Sequence, residues 1–223
     1  MNMVSRFLGV LAAIVVFSVG LRPASAANRT WNATGGSTAS PLIYTTAGNW
    51  VSGTAPANST TADVAVFGNS TGPTVVGFSG GRSVGGLRFT NANAMTLSGT
   101  GSTRTLTLGA GGIVVQSGAG PVTLGNRDTG TRLGILLGTS QTWDIQAVTS
   151  GYALQITQGS GAGLQLDSHT LTLTGSGNVQ FNGQLIGTGR IVKNGSGRLN
   201  ILVGDNGTYS GGVTLNEGLL QVG

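Results

Sequence analysis

The residues of this chain that can do chemistry are few, and the first to consider is a short acid–serine–histidine segment. Asp167, Ser168 and His169 are the residue types of a nucleophilic triad, and His169 is the single histidine of 223 residues. A working triad needs its side chains to converge in one hydrogen-bonded relay. Neighbouring strand residues point to opposite faces, and this segment precedes a strand-like stretch at 170–174. The sequence therefore predicts a polar turn here.

Carboxylates are the second source of chemistry. Glycosidases need two carboxyl groups flanking one bond, and calcium sites need several oxygen ligands. The six acids are instead spread singly: Asp63, Asp128, Asp144, Asp167, Asp205 and Glu217. The chain has no cysteine, which excludes thiol enzymes, zinc ribbons and disulfide scaffolds. We therefore expect no enzyme activity, no catalytic, cofactor-binding or metal-binding residue, no cofactor, and no effect of a chelator on thermal stability.

Two other features suggest binding sites, and each has a simpler structural interpretation. The glycine-rich segment 159–163 is not a phosphate loop, because neither a Lys-Ser/Thr pair nor a helix start follows it. Exposed aromatic rings can bind glycans, and Trp143 is the one tryptophan outside the first 50 residues. We interpret Trp143 as a core residue, with a glycan-binding aromatic platform as the alternative.

Composition favours a glycine-rich, all-β chain. Glycine accounts for 41 of 223 residues and charged residues for only 8%, and the chain has one glutamate and one lysine. That scarcity of strong helix formers argues against a helical protein. The net charge is +5, but the basic residues are scattered without a run. Nucleic-acid-binding proteins cluster such residues on one face, so no nucleic-acid partner is expected.

The N-terminus has the three parts of a secretory signal peptide. A short basic segment containing Arg6 precedes an apolar stretch at 7–19, and Ala24-Ser25-Ala26 is a small-residue cleavage site. The apolar stretch is short for a membrane span, which needs about 20 residues, although an uncleaved anchor is the alternative. We expect cleavage after Ala26 and a secreted, cell-surface or outer-membrane location in a bacterium.

The rest of the chain alternates apolar and polar residues in short runs separated by glycine-rich turns. Such runs indicate strands with one buried face. Similar Leu-Thr-Leu units recur at 95–109, 106–120 and 171–185, as in solenoids. We predict an all-β, right-handed parallel β-helix with a small N-terminal cap, and treat a β-sandwich as the alternative. About nine turns of the helix, or rungs, are expected. The predicted domains are 1–26 signal peptide, 27–72 cap and 73–223 β-helix.

A dense motif occupies residues 187–223. It combines Lys193 with glycines at 187, 189, 195 and 197, the segment 208–212 (TYSGG) and Glu217-Gly218. This stretch resembles the autotransporter-associated β-strand repeat of bacterial passenger domains, except that Asn194 stands where threonine is commoner. Trp31, Asn49-Trp50, Gly53, Ala55-Pro56, Asp63 and Phe67 resemble the segment that precedes such repeats. The resemblance implies a β-helical passenger, although no room remains for the translocator barrel of large family members.

Several expectations concern individual residues of this motif. Its four glycines are expected where the backbone turns between stacked strands. We expect the Tyr209 ring to lie on a neighbouring rung with its hydroxyl in water. Asn206 and Asn216 are expected to stack in ladders along the turns or to bond turn backbone. The last strands are expected to leave apolar residues uncovered and so to favour self-association through the C-terminal rungs.

The function expected from all this is a non-enzymatic one. The chain is predicted to be an exported extracellular or cell-surface structural or adhesion segment, similar to an autotransporter passenger. Its expected partners are surface glycans or other cell-surface proteins, together with further copies of itself. Two alternatives stay open. One is a carbohydrate-active β-helix enzyme, which paired carboxylates on one face would favour, and the other is a truncated fragment of a longer surface protein.

Overall fold

The structure is a computed structural model that describes residues 26–37, 39–68, 70–126, 131–147, 150–159, 162–202 and 207–223. The predicted signal peptide therefore lies outside the described residues, apart from Ala26. None of the described residues belongs to a helix long and apolar enough to cross a bilayer.

The described chain is all-β, as the alternation of apolar and polar residues predicts. It contains no α-helix and a single 3-10 turn at Ala47–Asn49. Its strands, numbered in chain order, are β1 Ala27–Trp31, β2 Leu42–Ile43, β3 Asp63–Phe67, β4 Thr74–Phe78, β5 Arg82–Phe89, β6 Met95–Gly99, β7 Arg104–Val115, β8 Val122–Leu124, β9 Leu133–Leu137, β10 Gln141–Ile145, β11 Leu154–Thr157, β12 Gly163–Asp167, β13 Leu171–Thr174, β14 Val179–Asn182, β15 Gln184–Gly187, β16 Ile191–Lys193, β17 Arg198–Leu202, β18 Val213–Leu215 and β19 Leu219–Val222.

The strands form two sheets in which strands pair in parallel. Sheet A runs β1-β3-β5-β7-β10-β13-β16-β18, with β9, β12 and β15 attached beside this path, and sheet B runs β2-β4-β6-β8-β11-β14-β17-β19. The chain alternates between the sheets, except that the consecutive strands β9 and β10, β12 and β13, and β15 and β16 lie together in sheet A. Each strand pairs with the equivalent strand of the next passage, meaning the next turn of the chain through both sheets. Leu171 of β13, for example, lies in register with Gln141 of β10 on one side and Ile191 of β16 on the other.

Sheet A branches at the twelve-residue strand β7. The first half of β7 pairs with β9 from Arg104 onward, whereas its second half pairs with β10 from Ile113 onward. The two halves meet at the glycine-rich segment 109–112, where a Cβ on Gly111 would lie 2.7 Å from the carbonyl oxygen of Gly85. Only glycine leaves the backbones room to approach so closely.

Inward residues of both sheets form one continuous apolar core. The burial alternates along each strand, as in β3, where Asp63, Ala65 and Phe67 are buried and the two valines between them are partly exposed. Side chains of successive strands pack on one another in rows, because the pairing is parallel and in register. Over most of the chain, residues that face each other on neighbouring passages are about 20 to 30 residues apart in the sequence.

Aromatic rings fill the N-terminal end of the core. Trp31, Tyr44 and Trp50 are fully buried, and Phe67 stacks on Phe89 with ring centroids 5.1 Å apart. Strands β1, β2 and β3 of this region pair with the same two sheets as the later strands. A separate cap over 27–72 stays a prediction. Burial raises the pKa of Tyr44 far above its ordinary value, and its hydroxyl has no hydrogen-bond partner among the described residues.

The main path of each sheet contains eight stacked strands, against about nine rungs expected from the sequence. The difference arises because the passages are unequal. Ala27 pairs with Asp63 across a long irregular connection, whereas Leu171 pairs with Ile191 after a short one. An average repeat length therefore overestimates the number of passages.

Gly189, Gly195 and Gly197 of the 187–223 motif lie in connections between strands, as expected, and Gly187 is the last residue of β15. Among these four glycines only Gly187 has a positive φ, of 113°, and Gly212 and Gly218 later in the motif have one as well. Gly189, Gly195 and Gly197 instead lie where a Cβ would come closer than 3.0 Å to a backbone oxygen of the neighbouring passage. These three positions need glycine because stacked turns touch each other, not because the backbone is left-handed.

Candidate functional site

The acid–serine–histidine segment forms the turn between β12 and β13. The backbone N–H of His169 donates to Leu166 O at 2.8 Å, and Asp167 has a left-handed φ of 49°. Asp167 O accepts from the N–H groups of Thr188 and Gly189. The Asp167 and Ser168 side chains are exposed, and none of the three side chains joins another by a hydrogen bond in the described structure. The segment is therefore a polar turn in contact with the next passage.

The described carboxylates stay apart from one another. Asp63 is buried in a structural role, since its Oδ1 lies 3.5 Å from Arg29 Nε and its Oδ2 accepts from the N–H of Ala57 at 2.7 Å. Glu217 is exposed on the connection between β18 and β19. Asp128 and Asp205 lie outside the described residues. No two carboxylates of the described strands face each other in the strand register.

Asp144 lines an open depression on the outer face of sheet A. It accepts from Gln146 Nε2 at 2.7 Å and from Thr174 Oγ1 at 3.0 Å. The depression has a volume of about 500 Å³ and is also lined by Gln116 and Ser117. A single carboxylate bonded to neutral side chains lacks the second acid that glycoside hydrolysis needs.

Among the described residues, no group of three or more His, Cys, Asp or Glu side chains could hold a metal ion. Independence from metals and cofactors stays a prediction of the sequence.

Trp143 is a core residue. Its side chain is 0% exposed, its Nε1–H donates to Gln141 Oε1 at 2.9 Å, and its ring meets Phe181 edge-on with centroids 6.1 Å apart. It cannot serve as a surface platform for glycans, so any aromatic contact with a glycan must come from another ring.

The outer face of sheet B has a row of amide side chains in register. We call Gln155, Gln180, Asn200 and Gln221 the amide row; each pairs with the next through β11, β14, β17 and β19. Gln155 Nε2 donates to Gln180 Oε1 at 3.3 Å. The row continues on the other side of Gln155 through Thr123 to Thr96. This face is therefore a straight polar track.

One aromatic ring lies over the amide row. Tyr152, on the connection before β11, accepts at its Oη a hydrogen bond from Asn200 Nδ2 at 2.7 Å. The guanidinium of Arg198 lies 5.9 Å from the centroid of the Tyr152 ring, and Arg198 Nη1 donates to Gln221 Oε1 at 3.5 Å. A cation over a ring face is attracted by the ring quadrupole, which holds the two side chains together.

The surroundings of Tyr152 leave both a cavity and an unused acceptor. The cavity has a volume of about 330 Å³ and is lined by Pro121, Ser150, Gly151, Tyr152 and Gln155. Asn200 is 4% exposed, and its Oδ1 is buried with no hydrogen-bond partner in the part of the chain that the structure describes. Leaving such an acceptor unpaired costs about 1–3 kcal/mol. This arrangement makes the Tyr152 region the strongest candidate binding site.

A sequence signal for the amide row exists but is weak. Each amide is the central polar residue of an apolar–polar–apolar triplet: LQI at 154–156, VQF at 179–181, LNI at 199–201 and LQV at 220–222. That pattern predicts an outward amide in each strand. It does not predict that the four amides share one row, since that depends on unequal connections between strands.

Lys193 points into the core rather than to solvent. It occupies the row of inward residues between Leu173 and Leu215 and is buried. Its Nζ donates to the carbonyl oxygen of Gly195 in the following turn. Burial lowers the pKa of Lys193, and the nearby Glu217 carboxylate partly offsets that effect. The basic residue of the repeat motif thus stabilises a turn and is not available to an external ligand.

Two expectations about the last passages can be compared with the geometry. The Tyr209 hydroxyl donates to Gly212 O at an exposed position, and burial of the ring raises its pKa. Asn216 Nδ2 donates to Asn194 Oδ1 at 2.7 Å, which is the expected ladder between stacked turns. Asn206 lies outside the described residues.

Comparisons with protein-family models, with curated proteins and with solved structures found no match.

Proposed function

We propose that this chain is an exported, non-enzymatic structural or adhesion segment that acts outside the cell or at its surface, in the manner of an autotransporter passenger. The observation that carries the proposal is the division between a continuous apolar core and outer faces whose described carboxylates stand apart. Such a rod displays polar residues at regular spacing without assembling acid–base pairs. The residues of 187–223 support the same proposal through their resemblance to a passenger repeat.

The proposal includes a finer description of the fold. We propose that the two parallel sheets are faces of one right-handed β-helix, closed at its N-terminal end by the aromatic cluster around Trp31 and Trp50. The in-register pairing of strands from successive passages supports this winding. Parallel crossover connections are right-handed in about 98% of cases, which supports the hand.

Self-association is the second part of the proposal. Leu215, Leu219 and Val222 are 44%, 55% and 65% exposed, and among the described strands β18 and β19 each pair on one side only. Open strand edges beside uncovered apolar side chains favour pairing with another chain. The expected partner is a second copy of this chain, and surface glycans or other cell-surface proteins remain the partners expected along its sides.

The experiment that tests the function is export from a Gram-negative host. The full chain with a C-terminal tag should leave the inner membrane fraction, and its N-terminal sequence should begin at Ala27. Ala26→Phe, which fills the small-residue position next to the cleaved bond, should keep the signal peptide attached. Wild-type protein that begins at Met1 and stays membrane-bound would contradict export.

The exported protein also tests the non-enzymatic character. Incubated with soluble polysaccharides, it should release no reducing ends, whereas the carbohydrate-active enzyme alternative predicts release that Asp144→Asn abolishes.

Self-association is tested on the same protein. Light scattering over a range of concentrations should show dimers or larger species, and Val222→Lys should shift them toward monomer. A wild-type chain that is monomeric throughout would overturn the self-association.

A further inference from the structure

The outer face of sheet B combines features that point to a particular ligand class. A straight row of hydroxyl and amide side chains runs from Thr96 through Thr123 to Gln221, and Tyr152 is hydrogen-bonded to one of its members, Asn200. Strands in a sheet lie about 4.8 Å apart, so six rungs extend over roughly 24 Å. A track of that length matches an extended chain molecule better than a small compact ligand.

We infer that the amide row and Tyr152 form a binding site for an uncharged polysaccharide chain laid along the outer face of sheet B. This inference rests on the proposed function, because a surface-displayed segment meets polysaccharides outside the cell. It names the ligand class of a site that the proposed function leaves open.

The chemistry of the amide row suits hydroxyl groups. Each side-chain amide offers two donors and a carbonyl acceptor, and a sugar hydroxyl is both donor and acceptor. The row is buried unevenly, since Asn200 and Gln180 are buried and Gln221 is exposed. Partly desolvated amides in fixed positions lose little entropy when they bind a ligand.

Tyr152 supplies the apolar contact that polysaccharides also need. Ligand sites combine apolar or aromatic surface with a few placed polar groups, and one face of a sugar ring presents C–H groups that pack on an aromatic ring. The cavity of about 330 Å³ beside Tyr152 opens next to Gln155, the first amide of the row. The unpaired Oδ1 of Asn200 would gain a partner if a hydroxyl entered when the Tyr152 ring moved aside.

Charge favours an uncharged chain over an acidic one. The basic side chain of Arg198 contacts these residues, and it is engaged with the Tyr152 ring and Gln221. A site for an acidic polysaccharide would present several free cations, because each repeating carboxylate needs a partner. The members of the row that are exposed or half-buried are neutral and fit hydroxyls: Gln155, Gln221, Thr96 and Thr123.

The test is affinity electrophoresis of the exported protein in gels that contain hydroxyethyl cellulose, glucomannan or dextran, with polygalacturonate as the acidic probe. At least one uncharged polymer should retard the wild-type chain. Tyr152→Ala and Gln155→Ala should each weaken retardation about tenfold in apparent Kd. Gln165→Ala is the matched control, because Gln165 is an outward glutamine of β12 outside the row, and it should bind like wild type.

Each other outcome decides against the inference. The inference would be overturned if no uncharged polymer retarded the protein, or if Gln165→Ala lost as much binding as the site variants. It would also be overturned if Tyr152→Ala and Gln155→Ala bound like wild type, since the row would then only stabilise the sheet. Retardation by polygalacturonate alone, lost at high salt, would show an electrostatic site instead. Circular dichroism confirms that each variant is folded. Correct export without binding would refute this inference alone, whereas binding by a chain that is never exported would refute the proposed function.

Discussion

Replacement of Gly197 by alanine is expected to lower the free energy of unfolding by about 3 kcal/mol. A Cβ at Gly197 would come closer than 3.0 Å to the backbone oxygens of Gly177 and Ser176 in the preceding passage. These backbone atoms cannot move aside as a flexible side chain would. The added methyl group should therefore force the two stacked turns apart.

Urea unfolding followed by far-ultraviolet circular dichroism measures this effect. Gly48→Ala is the matched control, since Gly48 is exposed in the 3-10 turn and a Cβ there would meet no atom within 4 Å. That variant should unfold within about 0.5 kcal/mol of wild type. If Gly197→Ala were as stable as Gly48→Ala, the close stacking of turns would be wrong.

Trp143→Ala is expected to cost about 3–5 kcal/mol, the range for removing a large aromatic side chain from a core. The substitution leaves a cavity between the sheets and removes the ring that packs against Phe181. It also removes the donor to Gln141 Oε1, a buried acceptor. Both losses act in the same direction.

The comparison variants for Trp143 separate packing from hydrogen bonding. Trp143→Phe keeps an aromatic ring in the core and loses the N–H donor, so it should cost less than the alanine variant. Val51→Ala trims a side chain that is 59% exposed and should change stability by less than about 0.5 kcal/mol. A Trp143→Ala variant as stable as Val51→Ala would show that Trp143 does not lie in the core.

Local patterns predict individual strands of this protein well. The alternating runs DVAVF and TVVGF coincide with β3 and β4, because alternation with β-branched residues is a local signal. The core position of Trp143 follows equally from its place in an alternating run. The sequence does not predict the continuity of β7. Its glycine-rich segment at 109–112 indicates a turn, but in the structure this segment lies within one long strand.

The arrangement of strands between passages is harder to predict. Gln155, Gln180 and Asn200 face one another only because connections of unequal length bring their strands into register. Nothing local to any of the three residues specifies that. The same holds for Gly197, whose small size reflects a neighbour some twenty residues away in the chain and not its own turn.

Disulfide cross-linking between passages tests the winding of the chain most directly. The protein has no cysteine of its own, and Thr142 lies in register with Thr172 on neighbouring strands β10 and β13. Their Cα atoms are expected about 4.8 Å apart, within the range of about 4.4–6.8 Å that a disulfide needs. Thr142 and Thr174 are offset by two residues, about 8 Å apart, and cannot be bridged without backbone movement.

The measurement is the intact mass and non-reducing gel mobility of the two double variants after mild oxidation. In-register stacking predicts that Thr142→Cys with Thr172→Cys forms an intramolecular disulfide almost completely, and that Thr142→Cys with Thr174→Cys stays reduced. Cross-linking of the offset pair in preference to the in-register pair, or of neither pair, would contradict the parallel winding on which the core, the turns and the amide row all depend.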